Sequence, residues 1–593
     1  MSYLIRPRLH FAGTFTADVS TENNYVSHFK NPNDPNDPGW NPSGTGSWSI
    51  VGCKVTSAAF ADGTVARSPA DDPVVGAIIS QIGRARLVDL DPEQQMVSQI
   101  WGMRLTLASA AGAAAVTGDF KVTPFSDIWS GRLAGAGGGD FAMSAYYQSL
   151  ITGIAWANLF GSRFLDELKR VSDPTSLSIK FNVDGFDQTR HVGRIVGTIG
   201  PASGGEPAHF VIGRHCMPVN GGGPVWYFPA VVDAQSKKLI ADFGNSLQTK
   251  TFRGPFDDAI DLQVGLMTGG QFTSFGQIPI GPQGWYEQTA GVCEFPAGGS
   301  FSDAQLAQLG ANPIVVMQRK AGGSVPVARE GADGLHVRAD DFVLRMSANE
   351  VASVELRASK FGQPLPNAAI ALVFDDSELQ RGDGDPDVDE PRTGLSFPAT
   401  IQTDQRGIAT LALSGGSIDR PRDYIDGQVY GVGYMLPQSD LNAGGYRNPS
   451  DLISILVWTN YAAPDDPDWN THVAPILTQY QKLYAVMQTI VDLSSYTSVV
   501  AAKAQMKDVF SRPETDPRYM PVTRDLSPAK RNMILRWLDT IGNAGQPNLG
   551  PAPVLVAAAF EATAEGALVP PQQRPPEPGG KTEALRRRIG RTS

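Results

Sequence analysis

The sequence predicts a mostly β chain: a large β-rich amino-terminal region, then a β-sandwich, then a small carboxy-terminal helical segment. Short alternating or apolar runs such as Leu177-Ser-Ile-Lys-Phe-Asn-Val and Arg194-Ile-Val-Gly-Thr-Ile recur between turn clusters such as Asn31-Pro-Asn-Asp-Pro-Asn-Asp-Pro-Gly. The 63 Gly and 44 Pro punctuate these runs without thinning them, because 41% of the 593 residues are hydrophobic. Helical spacing is sustained near the carboxy end and in one earlier stretch. At about 150 residues per domain the length allows about four domains, or three if one is a large β-unit.

Residues 1–345 read as one β-dominated region. One helix is expected inside it, over about 141–171, where Tyr147, Leu150, Ile151, Ile154, Ala155 and Phe160 follow approximate helical spacing. Residues 346–460 read as a separate sandwich. Val351-Ala-Ser-Val-Glu-Leu-Arg-Ala alternates with period two, a turn follows at Phe361-Gly-Gln-Pro-Leu-Pro-Asn, and Ala368 to Phe374 is a strand. Thr403-Asp-Gln-Arg-Gly-Ile-Ala-Thr-Leu-Ala-Leu then gives a turn and another strand. This pairing resembles the bacterial immunoglobulin-like domains of the invasin type, which implies a spacer or binding platform. Residues 468–545 are helical: Val473, Ile476, Leu477, Tyr480, Leu483, Tyr484 and Met487 make one apolar stripe. A second helix is expected over about 501–510. A third starts at Ser527, a natural N-cap followed by Pro528 at the first helical position, with Met533, Ile534, Trp537 and Leu538 on its buried side. Residues 565–593, rich in Pro and Arg, read as a disordered tail.

A formal net charge of −11 argues against nucleic acid as a partner, because phosphate neutralisation needs a basic face. Cys53, Cys216 and Cys293 are too few and too scattered for a disulfide framework and form no C-x-x-C, so buried thiols in a reducing compartment are expected. The amino terminus lacks the apolar core of a signal peptide, and no run approaches 18 apolar residues. A cytoplasmic protein that does not span the membrane is the expectation.

Candidate chemistry is sparse. None of the seven histidines sits in H-E-x-x-H spacing. His209 and His215 are the densest pair; if 209–215 is a strand, the even offset puts both imidazoles on one face, where they could hold haem or iron. A structural pair beside the buried Cys216 is the alternative. Asp383, Asp385, Asp387 and Asp389 lie in an acidic run that is either a solvated loop or a calcium site, although its spacing is not that of an EF-hand. His10 reads as a hydrogen-bonded structural residue. Arg84, Arg86, Asp89 and Asp91 read as a charged ladder for turn and strand-edge pairing.

Three stretches, in the same order along the chain, resemble the iminophenylpyruvate dimer synthases of bisindole pathways of the violacein, rebeccamycin and staurosporine type. They are Pro7-Arg-Leu-His-Phe-Ala-Gly; Arg84-Ala-Arg-Leu-Val-Asp-Leu-Asp-Pro with Gln99-Ile-Trp-Gly; and Tyr519-Met-Pro-Val-Thr-Arg-Asp-Leu-Ser-Pro-Ala-Lys-Arg. Those enzymes are far longer and carry a ferritin-like helical domain that this sequence does not show. The helical segment also resembles a c-type cytochrome fold around Tyr519-Met520-Pro521, without the C-x-x-C-H attachment motif. The resemblance implies a binding or scaffold protein of secondary metabolism, an accessory to a separate catalytic subunit. The alternative is an oxidoreductase coupling or oxidising an indolic, amino-acid-derived small-molecule substrate with noncovalent haem or iron.

Overall fold

A computed structural model describes residues 2–18, 44–91, 93–136, 140–219, 223–377, 379, 388–418, 422, 426–440, 448, 450–542 and 545–551. The tail expected over 565–593 lies outside them.

The amino-terminal region opens with a closed barrel. Its strands are β1 (Arg8–Ala17), β2 (Ser47–Ala59), β3 (Ile78–Ile82), β4 (Arg104–Ala108), β5 (Ala114–Phe120), β6 (Ser144–Trp156), β7 (Ser176–Asp187) and β8 (Val192–Pro201). Each pairs antiparallel with the next, and β8 returns to β1 with Leu9 opposite Ile199 and Thr16 opposite Val192. An eight-stranded barrel is just wide enough for side chains to fill it. Here Phe11, Phe15, Trp48, Phe120, Tyr147 and Phe181 occupy the interior, and Phe164, Leu165 and Leu168 of α1 (Arg163–Val171) join the same core. The remaining hollow among Leu9, Ile79, Leu105 and Ile151 is about 20 Å³, room for roughly one water.

The helix expected over 141–171 is therefore a strand followed by a short helix. Tyr147 and Ile151 both reach the barrel core from β6, and an offset of four is shared by one helix face and one strand face. The apolar spacing could not separate the two.

A second β-unit follows, with strands β9 (Arg214–Pro218), β10 (Phe228–Asp233), β11 (Lys238–Asp242), β12 (Asp261–Thr268), β13 (Gln271–Gln277), β14 (Val292–Phe295), β15 (Ile314–Lys320) and β16 (Gly323–Arg329). They form one sheet in the order β13-β12-β15-β16-β9-β10-β11-β14. It meets the barrel through buried ion pairs. Lys180 of β7 reaches Asp242 at 2.9 Å, with both side chains at most 2% exposed, and Arg132, paired with Asp184 of β7 at 2.8 Å, donates across to the Leu247 carbonyl at 2.7 Å.

The sandwich has strands β17 (Leu335–Ala339), β18 (Val343–Met346), β19 (Val351–Lys360), β20 (Ala369–Phe374), β21 (Leu395–Ser396), β22 (Thr400–Gln402), β23 (Ile408–Gly415), β24 (Gln428–Met435) and β25 (Leu452–Val457). One sheet runs β17-β19-β23-β21 and the other β18-β25-β24-β20-β22. This is an immunoglobulin-like strand order, with a split first strand whose second half runs parallel to the last. Val354, Leu356, Leu411 and Leu413 from one sheet meet Ile370, Tyr430, Val432, Ile453 and Ile455 from the other. Because β17 and β18 belong to it, the sandwich begins at Leu335, before the expected boundary at 346.

The helical segment contains α2 (Ala474–Leu483), α3 (Tyr496–Ala501), α4 (Lys503–Ser511) and α5 (Pro528–Asp539). Ser527 caps α5 by accepting the Lys530 N–H at 3.4 Å, and Met533, Ile534, Trp537 and Leu538 are buried as their spacing predicts. No helix among the described residues is long and apolar enough to cross a membrane.

Candidate functional site

Strand β17 alternates sharply. Leu335, Val337 and Ala339 enter the sandwich core, so His336 and Arg338 must face the other way. That face does not meet open solvent. It meets β9 and β10 of the second unit and the barrel edge, and the three units enclose a cleft of about 90 Å³. His215, Tyr227, Tyr146, Asp127, Tyr434 and Asp451 are among its polar lining.

At its centre the imidazoles of His215 and His336 stack at 3.5 Å between centroids and 10° between planes. His215 Nε2 lies 3.1 Å from the Val211 carbonyl, which fixes the proton on that nitrogen and leaves Nδ1 an acceptor. Burial and then the nearby Arg338 charge push His215 down to about 3. Burial, followed by His215 and Arg338, lowers His336 in the same direction. Both rings are neutral at pH 7, because burial and the neighbouring guanidinium disfavour an imidazolium at either. Burial works against the Arg338 charge, but Asp451, Tyr146, Tyr434 and Asp127 outweigh it and raise the guanidinium above its ordinary value. Arg338 donates to the Ser126 carbonyl at 2.5 Å, and its Nε lies 3.6 Å from Asp451. Asp127 accepts from the Trp226 indole at 3.4 Å and from Ser450 at 3.2 Å.

Of the residues singled out in the sequence, His215 and the adjacent Cys216 line this cleft. Residues 209–213 are not a strand, and β9 begins at Arg214. The Ala208 and His209 N–H groups instead donate to the Asp340 carboxylate at 3.0 and 2.9 Å. His209 is buried, with Nδ1 2.8 Å from the Asp340 carbonyl, and lines no part of the cleft. The pair does not fit haem or iron: one ring packs under Asp340, and the other presents its face to a second imidazole. Asp383, Asp385 and Asp387 lie outside the described residues. Asp389 points inward, accepting the Gly431 N–H at 3.3 Å, and burial lifts its carboxyl to about 7. His336, Arg338, Tyr146, Tyr434 and Asp451 carried no local motif. The one readable signal was Leu335-His-Val-Arg-Ala, a strand with a polar face opposite its core face.

The signature stretches serve another purpose. The second and third meet each other. Arg86 donates to the Pro517 carbonyl at 3.0 Å, and a Cβ on Gly102, whose φ is +71°, would lie 2.7 Å from Pro517 Cδ. The Trp101 ring carries Arg524 at 4.9 Å and Arg345 of β18 at 5.6 Å, and it packs with Val88 and Val522. Arg345 also donates to Gln99 at 2.7 Å, and the Trp458 indole donates to the Asp525 carbonyl at 2.9 Å. Barrel, sandwich and helical segment are thus joined at one point. The expected ladder of Arg84, Arg86, Asp89 and Asp91 is not one: only 85–88 is strand, Asp89 accepts from Ser98, and Asp91 pairs with Arg422 of the sandwich. The first stretch fastens the barrel to the second unit. Arg8 pairs with Glu294 at 2.5 Å, while His10 bonds Thr198 at 2.9 Å as a structural histidine.

No family model matches the chain, and no curated protein matches it. Among solved structures, the D0-D1 domain of intimin is 11% identical with a TM-score of 0.14, covering 34% of this chain and 82% of that one. The adhesin InvE of Yersinia pseudotuberculosis is 12% identical with a TM-score of 0.14, covering 39% and 56%. Likeness at those scores carries no argument, and the immunoglobulin-like description rests on the strand order above.

Proposed function

We propose that this chain is a binding platform: a scaffold that seats the polar end of a small aromatic, amino-acid-derived molecule in the three-unit cleft, its ring at the open mouth, and serves a separate catalytic subunit of bisindole-type secondary metabolism. One observation carries the reading. The stacked, neutral His215–His336 pair is framed by Tyr146, Tyr434 and Arg338, and protein partners hold His215, Arg338 and Asp127 in place. Such a surface recognises shape and hydrogen-bonding pattern, because fixed donors and acceptors reward only a ligand that matches them. The joint between the second and third signature stretches supports the scaffold half of the reading, since stretches that resemble the dimer synthases hold domains together here.

Calorimetric titration of the full chain with tryptophan and indole-3-pyruvate tests this. Saturable binding that weakens at least tenfold in His336→Ala, at unchanged far-UV circular dichroism, is the expected result. Equal binding by His336→Ala, or no saturable binding, would remove the reading. Oxygen-dependent turnover of the indolic acid by this chain alone would replace it with the oxidoreductase alternative.

A further inference from the structure

The helical segment encloses a second cavity, separate from the cleft and of opposite character. It measures about 150 Å³ and is lined by Leu477, Tyr480, Met487, Met506, Phe510 and Met520, with Arg86 and Thr45 of the barrel closing one side. Its exposed lining is almost wholly apolar. An apolar cavity of about 150 Å³ holds one benzene ring, and thioethers make favourable contacts with aromatic rings. No histidine lines it, so it does not fit haem with a His ligand.

Its one charged wall is unusual. Arg86, Arg345 and Arg524 converge around the joint, and their hydrogen bonds go to neutral oxygens. Arg86 donates to the carbonyls of Pro517 and Thr45, Arg345 to Gln99 and the carbonyls of Asp89 and Thr523, and Arg524 to those of Glu514, Asp516 and Val522. Burial first, then the neighbouring Arg345 and Arg86 charges, brings Arg524 down to about 9. Arg86 uses Nε and Nη1 in the two bonds above, and Nη2 has no partner among the described residues. A guanidinium with spare donor capacity at the edge of an apolar cavity recognises a carboxylate whose body is apolar.

We infer that this cavity binds a small arylalkanoic acid, its single aromatic ring among Met487, Met506 and Met520 and its carboxylate on Arg86. The site is independent of the cleft, and either can fail without the other.

Calorimetry on the full chain uses 3-phenylpropionate and its neutral counterpart 3-phenylpropan-1-ol. The acid binds at one site, and the alcohol at least tenfold more weakly. Arg86→Met weakens the acid at least tenfold and leaves the alcohol unchanged; Met506→Trp fills the cavity and abolishes both; His336→Ala changes neither. The wild-type comparison of acid with alcohol decides the matter even if Met506→Trp does not fold. Equal affinity for the two compounds, acid binding retained by Arg86→Met, loss in His336→Ala, or no saturable binding of the acid would each overturn the inference.

Discussion

Cutting the Asp91–Arg422 pair should be among the costliest single changes in the molecule. The Asp91 carboxylate receives both Arg422 Nη groups, at 2.7 and 2.6 Å, and both side chains are 0% exposed. Removing one member of such a pair strands the other charge in a dry interface, a loss of about 3–5 kcal/mol. Asp91 also accepts the Glu93 N–H at 2.9 Å, so Asp91→Asn is the cleaner variant, since an amide oxygen still accepts that bond. The assay is equilibrium urea unfolding of Asp91→Asn, Arg422→Met and the double variant. Either single variant should lose about 3 kcal/mol or more, and the double variant much less than the sum, because neither charge is left alone. Additive single losses, or a loss below about 1 kcal/mol for Asp91→Asn, would refute the reasoning.

Acid should destabilise the fold before carboxylates titrate. His10, His215 and His336 are buried neutral with depressed pKa values, so below the ordinary imidazole pKa of about 6.5 the unfolded chain binds more protons than the folded one. Stability is complete above that pH and falls as pH drops through it, by about 1.4 kcal/mol per pH unit for each ring. Replacing His336→Phe should therefore remove about 2 kcal/mol of the loss between pH 7.5 and pH 5, read from urea midpoints. A Gly13→Ala variant should lose about 1–3 kcal/mol in the same assay, because the new Cβ would lie 2.7 Å from the Cys53 backbone across β1 and β2. Burial pushes the Cys53 thiol up to about 12 and raises Cys216 and Cys293 as well, so none should react with a disulfide reagent at pH 8 until urea unfolds the chain, when all three should.

Local chemistry was legible in the sequence and long-range closure was not. Asp404 and Gly407 announce their turn: the Asp404 carboxylate accepts the Arg406 and Ile408 N–H groups at 2.8 and 2.9 Å, and Gly407 takes φ +75°. Ser527 and Pro528 announce α5 in the same way. The barrel gives no such notice, because it is closed by β1 pairing with β8, strands joined by none of the short turns that link neighbours. The cleft was hidden for the same reason, since His215, His336, Tyr434 and Asp127 come from separate segments. The signature stretches are readable in the sequence, but the joint they make is not, because Trp101 meets Arg345 and Arg524 from segments far apart in the chain.

The joint at Trp101 binds barrel, sandwich and helical segment into one body. Calorimetric melting of the wild type beside Trp101→Ala tests it directly. A single transition in the wild type that splits in the variant, with the helical segment melting first, is what the joint predicts. Independent melting of the helical segment in the wild type, untouched by Trp101→Ala, would contradict it.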